Sequence, residues 1–236
     1  MGTETILRMK LNREYTFKKG KYMSANWCDT RYSFYGEKFE LEDFSRKLTA
    51  SINRDEDSES DGCWLSNVLI GFGFATKEDI EHDKVKIGYR GWVYYNASNV
   101  KRDKIGHFVQ IDTKTAWVPM NDLWDAIIAK YKTLKYVFMA EEPSYRYYEN
   151  SDKKGRFFSY RYKLDICCND LDEKTLSEFR DKDDCDSTGY FDSRREFNEW
   201  IRSTFYNINS MKKFKKFAAN IRLKFPESYI LIDRFL

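Results

Sequence analysis

The sequence predicts an α+β protein. Its core has the order strand, helix, strand, strand, helix, strand, widened by a β-hairpin and followed by a mainly helical C-terminal addition. Three observations carry this. Segments that alternate apolar and polar residues exchange with segments whose apolar residues recur every three or four positions. Turn-forming residues fall between these segments rather than inside them. The last third then changes from aromatic strands to acidic loops and amphipathic helices with cap signals.

The elements follow in order. "DTRYSFYG" (29–36) alternates Tyr32 and Phe34 with polar neighbours and predicts a strand. "EKFELEDFSRKLTASI" (37–52) places Leu41, Phe44, Leu48 and Ile52 at helical spacing, and the acidic "RDEDSESDG" (54–62) predicts a surface loop. "CWLSNVLIGFGF" (63–74) predicts an inserted helix with Trp64, Leu65, Val68, Leu69 and Phe72 on one stripe, ended by Gly71 and Gly73. "RGWVYY" (90–95) and "HFVQIDTKTAWV" (107–118) predict two strands, and Asn121 opens a helix with the stripe Leu123, Trp124, Ile127, Ile128, Tyr131 and Leu134. "KYVFMAEE" (135–142) returns as a strand.

"SYRYYE" (144–149) and "RFFSYRYKLDI" (156–166) flank "NSDKKG" and predict a hairpin. Its second arm keeps Phe158, Tyr160, Tyr162, Leu164 and Ile166 at a period of two. Beyond it the acidic stretch 169–187 holds a short helix around Glu173–Phe179. Ser193 and Glu196 form a capping-box pattern ahead of Phe197, Trp200, Ile201 and Phe205, and Met211, Phe214, Ala218, Ile221 and Phe225 seam a last helix before the strand "SYILIDRF". The expected division is an N-terminal extension (1–22), a core (23–168) and a mainly helical addition packed on it (169–236). With the helix at 63–74 taken as an insertion, the core order βαββαβ is the split βαβ, or ferredoxin-like, arrangement.

Composition narrows the class. With 236 residues, 42% of them hydrophobic, the chain can bury a real core. The longest apolar run, Val68 to Ala75, contains two glycines and is too short to span a bilayer. The N-terminus lacks the apolar run of a signal peptide, so the expected compartment is cytoplasmic, with no membrane partner. The cysteines Cys28, Cys63, Cys167, Cys168 and Cys185 form no CxxC pair, which favours buried thiols over a Cys167/Cys168/Cys185 metal site; no cofactor is expected. Net charge is +3, but residues 1–22 carry six cations against two carboxylates, leaving the remaining body at −1. A nearly neutral body is not an obvious nucleic-acid binder. "KKGKYM" also back-translates to a purine-rich ribosome-binding site ahead of an ATG at Met23, so translation is expected to begin at Met23, and intact mass of the native gene product tests this.

Four segments resemble the YubB-type ferredoxin-like family of phages, plasmids and other mobile elements. Asn26, Trp27 and Cys28 match its opening, and Thr115, Ala116, Trp117 and Pro119 match its Thr-Ala-Trp-x-Pro segment. Glu141, Glu142 and Pro143 match its Glu-Glu-Pro, and "RGWVYY" lies between. Ser144 replaces the Gly that often follows that proline. The resemblance spans about residues 24–168 and implies a fold and a mobile-element setting. It hands over no catalytic residues.

Three functional readings follow. The first is a non-enzymatic protein that binds and modulates a host protein or ribonucleoprotein, such as a CRISPR effector of a bacterial defence system. Its surface would be the ring-and-cation hairpin of Tyr145, Tyr147, Tyr148, Arg156, Tyr160 and Arg161, with Lys212, Lys213, Lys215 and Lys216 on the last helix. The second is single-stranded nucleic-acid binding on the same surface, although the chain lacks the aromatic pattern of RNA-recognition sheets. The third is a metal-dependent phosphoesterase or nuclease built from Asp112, Glu141, Glu142 and Asp165. Adjacent strand residues point to opposite faces, so Glu141 and Glu142 cannot share one site in a regular strand.

Overall fold

The computed structural model describes residues 26–52, 62–94 and 100–236. The expected N-terminal extension, most of the acidic loop and residues 95–99 lie outside the described residues. The fold is α+β, with two antiparallel sheets.

The first sheet has β1 (Trp27–Gly36) at its centre. On one side β1 pairs with β5 (His107–Ala116), from Trp27 opposite Ala116 to Gly36 opposite His107. On the other it pairs with β6 (Lys135–Glu142), with Asp29 opposite Glu141. Outside β5 lie β3 (Gly91–Tyr94) and then β2 (Gly62–Trp64), with β4 (Lys101–Arg102) also beside β5. Outside β6 lies β7 (Tyr147–Asn150). The two central strands alternate strictly, so Cys28, Tyr32, Phe34, Val109 and Ile111 all point to one face.

That face is covered by α1 (Lys38–Ile52), α2 (Leu65–Gly71) and α4 (Asn121–Ile128), whose stripes bring Leu41, Phe44, Leu48, Val68, Leu69, Trp124 and Ile127 into the same core. Each fully buried large side chain contributes about 1.5–3 kcal/mol. The buried Tyr32 hydroxyl donates to Asn121 Oδ1 at 3.0 Å, which satisfies the ring's polar tip at the start of α4. A short helix α3 (Lys77–Glu81) lies in the connection to β3 and is opened by a Thr76/Asp79 capping box.

The second sheet has the order β10–β8–β9, formed by Ser228–Arg234, Tyr162–Cys168 and Thr188–Phe191. The turn-length α5 (Glu173–Leu176) follows β8. Helices α6 (Arg194–Thr204) and α7 (Met211–Lys224) supply Phe197, Ile201, Phe214 and Ile221 to a second core with Leu164, Ile166 and Ile230. Ser193 Oγ accepts from Glu196 N at 3.2 Å and caps α6. The Glu196 carboxylate reaches the N–H of Asp192 rather than that of Ser193, so the expected box closes one residue further back.

Three sequence expectations are corrected. Trp64 is not on a helical stripe: it ends β2 opposite Trp92, while Cys63 turns inward. The helix opened by Asn121 stops at Ile128, leaving Tyr131 and Leu134 to pack from the loop that follows. The hairpin between 144–149 and 156–166 does not form. Instead β7 folds back on β6 across Pro143–Arg146, and β8 pairs only with β9 and β10.

The physical reason lies in two polar side chains. Asp152 accepts the N–H groups of Phe157 and Phe158 at 2.6 and 3.0 Å, and Asn150 donates to the carbonyls of Phe158 and Tyr160 at 2.9 Å each. Side chains therefore satisfy this backbone, and no strand ladder is needed. The period-two run is divided: Phe158 is buried, Tyr160 is exposed, and Leu164 and Ile166 enter the second core. The C-terminal third also contributes β9, a strand the sequence reading did not place, to the second sheet.

Candidate functional site

The glutamate pair occupies the end of β6, and its members face opposite ways. Glu142 is buried and accepts the N–H groups of Ser144 and Tyr145 at 3.1 and 2.7 Å, holding the turn into β7. Glu141 points to the other face. It accepts from Lys163 Nζ at 3.0 Å and from the Tyr190 hydroxyl at 3.1 Å. Lys163 also lies 3.7 Å from Asp165 and near the faces of the Tyr148 and Tyr190 rings. Burial pulls its ammonium value down, but the Glu141 hydrogen bond and charge outweigh this and the net shift is upward. This cluster joins β6 and β7 to β8 and β9.

The remaining acidic candidates do not join it into a metal site. Asp112 accepts from Arg31 Nε at 2.7 Å on the first sheet, and Asp165 accepts from Thr188 on the second. Among the described residues no group of three or more His, Cys, Asp or Glu side chains is placed to hold a metal ion. Glu141 and Asp165 thus share Lys163, while Asp112 and Glu142 stand apart from them, each with a structural partner.

The ring-and-cation segment is mostly turned inward. Tyr148 is buried against Phe235, and burial pushes its phenol up to about 12. Arg156 holds Asp103 through two hydrogen bonds of 3.0 and 2.9 Å, and its guanidinium keeps that carboxyl well below the usual range. Arg161 donates to the carbonyls of Asp152, Phe158 and Tyr160. Tyr147 donates to Glu149 and packs against the first core. Only Tyr145 and Tyr160 remain exposed, at 69% and 41%. The expected partner surface is therefore largely mortar between the two sheets. The lysines Lys212, Lys213, Lys215 and Lys216, by contrast, all stand exposed on α7.

Sequence reasoning missed a different surface. On the face of the first sheet away from the helices, register aligns Asp29, Lys114, Trp92 and Trp64 in one row across β1, β5, β3 and β2. Trp27 joins the row's end: its ring lies 4.6 Å from Trp92, whose ring is 5.3 Å from Trp64 and 6.4 Å from Tyr94. Trp64 is 52% exposed. Trp117 follows β5 at the same end, with its N–H on the Asn26 carbonyl at 2.8 Å and Arg90 over its ring. It takes φ +64°, a conformation a bulky side chain adopts only under constraint. Gly91 makes the platform possible, since a Cβ there would lie 2.4 Å from the Lys114 carbonyl oxygen. Four of the six tryptophans thus gather at one end of the sheet. The local signal was the alternation of Gly91, Trp92, Val93 and Tyr94, which already put Trp92 and Tyr94 on one face.

Compared with protein-family models, curated proteins and solved structures, the chain matches none of them.

Proposed function

We propose that the chain is a non-enzymatic binding protein that engages a host protein through the tryptophan end of its first sheet. One observation carries this reading: Trp27, Trp64, Trp92 and Tyr94 form a contiguous ring cluster on the sheet face away from the helices of the described residues, with Trp64 half exposed. Trp and Tyr are the residues that dominate interface hot spots. The polar residues among the rings are of both signs, Asp29 and Asp112 beside Arg31 and Lys114. A balanced rim suits a protein partner better than a polyanion.

The β3–β5–β1–β6 order, antiparallel throughout, supports the ferredoxin-like reading of the core. Together with the YubB-type resemblance, it supports a phage or mobile-element setting in the host cytoplasm, with a defence component such as a CRISPR effector as the proposed target.

The test is affinity capture from bacterial host lysate, with and without nuclease, comparing the native sequence with Trp64→Ala. The expected result is one stoichiometric host protein that survives nuclease and is lost from the folded variant. Recovery of nuclease-sensitive material alone, or equal capture by Trp64→Ala, would overturn the reading.

A further inference from the structure

We infer that the outer face of α7 is a second, independent contact surface, and that its occupant is the phosphodiester backbone of a nucleic acid. The helix carries Lys212, Lys213, Lys215, Lys216, Arg222 and Lys224 and no carboxylate. All six cations are exposed, and none forms an ion pair with a described carboxylate. Arg222 and Lys224 suit the last turn, where the helix dipole favours cations, but folding stability does not explain the four lysines. Lys212 and Lys213 occupy the first turn, where the helix dipole favours anions. The neighbouring α6 follows the usual rule, with Glu196 in its first turn and an Arg195–Glu199 pair along its side.

Four carboxylates of the acidic segment before α6 are engaged locally: Asp172 caps α5 through Thr175 N, Asp170 accepts from Ser228, Asp186 accepts from Cys168 N, and Glu178 accepts from Asn207; Asp172 also feels the charge of Lys224. The opposite side of α7, with Met211, Phe214, Ala218 and Ile221, is committed to the second core. The helix therefore cannot turn an apolar side into a bilayer or a groove. Apart from the exposed Leu223, its outer face offers mainly charge. At 1.5 Å per residue the basic face spans about 18 Å, with its cations grouped at Lys212–Lys216 and at Arg222 and Lys224, a span comparable to about five phosphates at 3.4 Å per strand. A fixed row of like charge, with no exposed ring or carboxylate on it, complements a regular polyanion rather than a mixed protein surface. A partner that meets both this row and the tryptophan platform would be a nucleoprotein.

The test uses the full chain with a labelled mixed-sequence oligonucleotide, single-stranded and as a duplex, followed by fluorescence anisotropy across salt concentrations. If about four phosphates are contacted, affinity falls about 150-fold on the duplex and about 50-fold on the single strand for a fourfold rise in salt. Reversing Lys212, Lys213, Lys215 and Lys216 to Glu should abolish binding at low salt. Reversing Lys101, Lys104, Lys132 and Lys135 changes net charge equally and should leave most of it. Circular dichroism checks that both variants fold. Trp64→Ala should bind the oligonucleotide normally, so failure of the platform reading and failure of this one are separable. No binding at low salt, equal loss in both charge-reversed variants, or competition by polyglutamate as strong per charge as by nucleic acid would each overturn the proposal.

Discussion

Between Tyr145 and Lys163 the chain interleaves rings with cations, and so does the tryptophan end of the first sheet, where Trp27, Trp64 and Trp92 stand near Arg31 and Lys114. In the first region nearly every cation has an internal acceptor. Arg156 serves Asp103, Arg161 serves three carbonyls, and Lys163 serves Glu141. In the second, the rings of Trp27 and Trp64 both lie against Trp92, and Trp64 is half exposed. Like composition thus does two kinds of work. Where a second sheet is packed against the first, rings and cations become cement; where none is, they become a surface.

The sharpest way to break this contrast is Lys163→Ala. It strands Glu141 in a nearly buried site, and we expect a loss of about 3–5 kcal/mol in urea unfolding. Replacing Lys163 by Met and Glu141 by Leu together should restore most of it, because an apolar pair needs no partner. The lysine value is raised in the native state, so its contribution is complete below the ordinary value of 10.5 and is lost only as pH rises through the higher native value.

Next in size is Trp64→Ala, which should cost about 2 kcal/mol or more of partner binding, read by titration calorimetry, with a much smaller effect on stability. Arg161→Ala should do the reverse: about 1–3 kcal/mol lost from the fold with three charge-assisted hydrogen bonds, each carbonyl keeping its second donor from Asn150 or Gly155, visible as a lowered Tm. The same logic makes a combined Tyr147, Arg156 and Arg161 substitution a stability mutant rather than a clean probe of binding.

Acid should also act on the cement. Burial raises the Asp152 carboxyl, but the N–H groups of Phe157 and Phe158 outweigh it and hold the value below the ordinary 3.8. Its contribution is therefore present above that value and fades as pH falls through the native one. Asp152→Asn should flatten this part of the acid-unfolding curve. Smallest of all, Tyr145→Ala should change stability by no more than about 0.5 kcal/mol in the same urea assay, since the ring is largely exposed.

What could be foreseen follows the range of the forces involved. The opposite facing of Glu141 and Glu142 was legible because strand alternation is local. The central strands and α1 were legible for the same reason. Trp64 was misplaced because Leu65, Val68 and Leu69 really do form a helical stripe, and only the pairing with Trp92 across the sheet draws Trp64 out of it. The run from Phe158 to Ile166 alternates like one strand, yet Asn150 and Asp152 hold its first half as a loop. Alternation announces two faces but does not name a partner. The platform was hidden in the same way, since its tryptophans come from three strands distant in sequence.

The two glutamates at the end of β6 have a consequence for how the chain finds its alignment. Glu142 belongs to a turn on the helix side and Glu141 to a lysine on the other. A slip of β6 by one residue would exchange them, turning Glu141 toward the apolar core and leaving Lys163 without its acceptor. Only one phase of the strand gives both carboxylates a home. The doublet therefore works as a phase marker: it tells the growing sheet where β6 must stop and on which side the second sheet must settle.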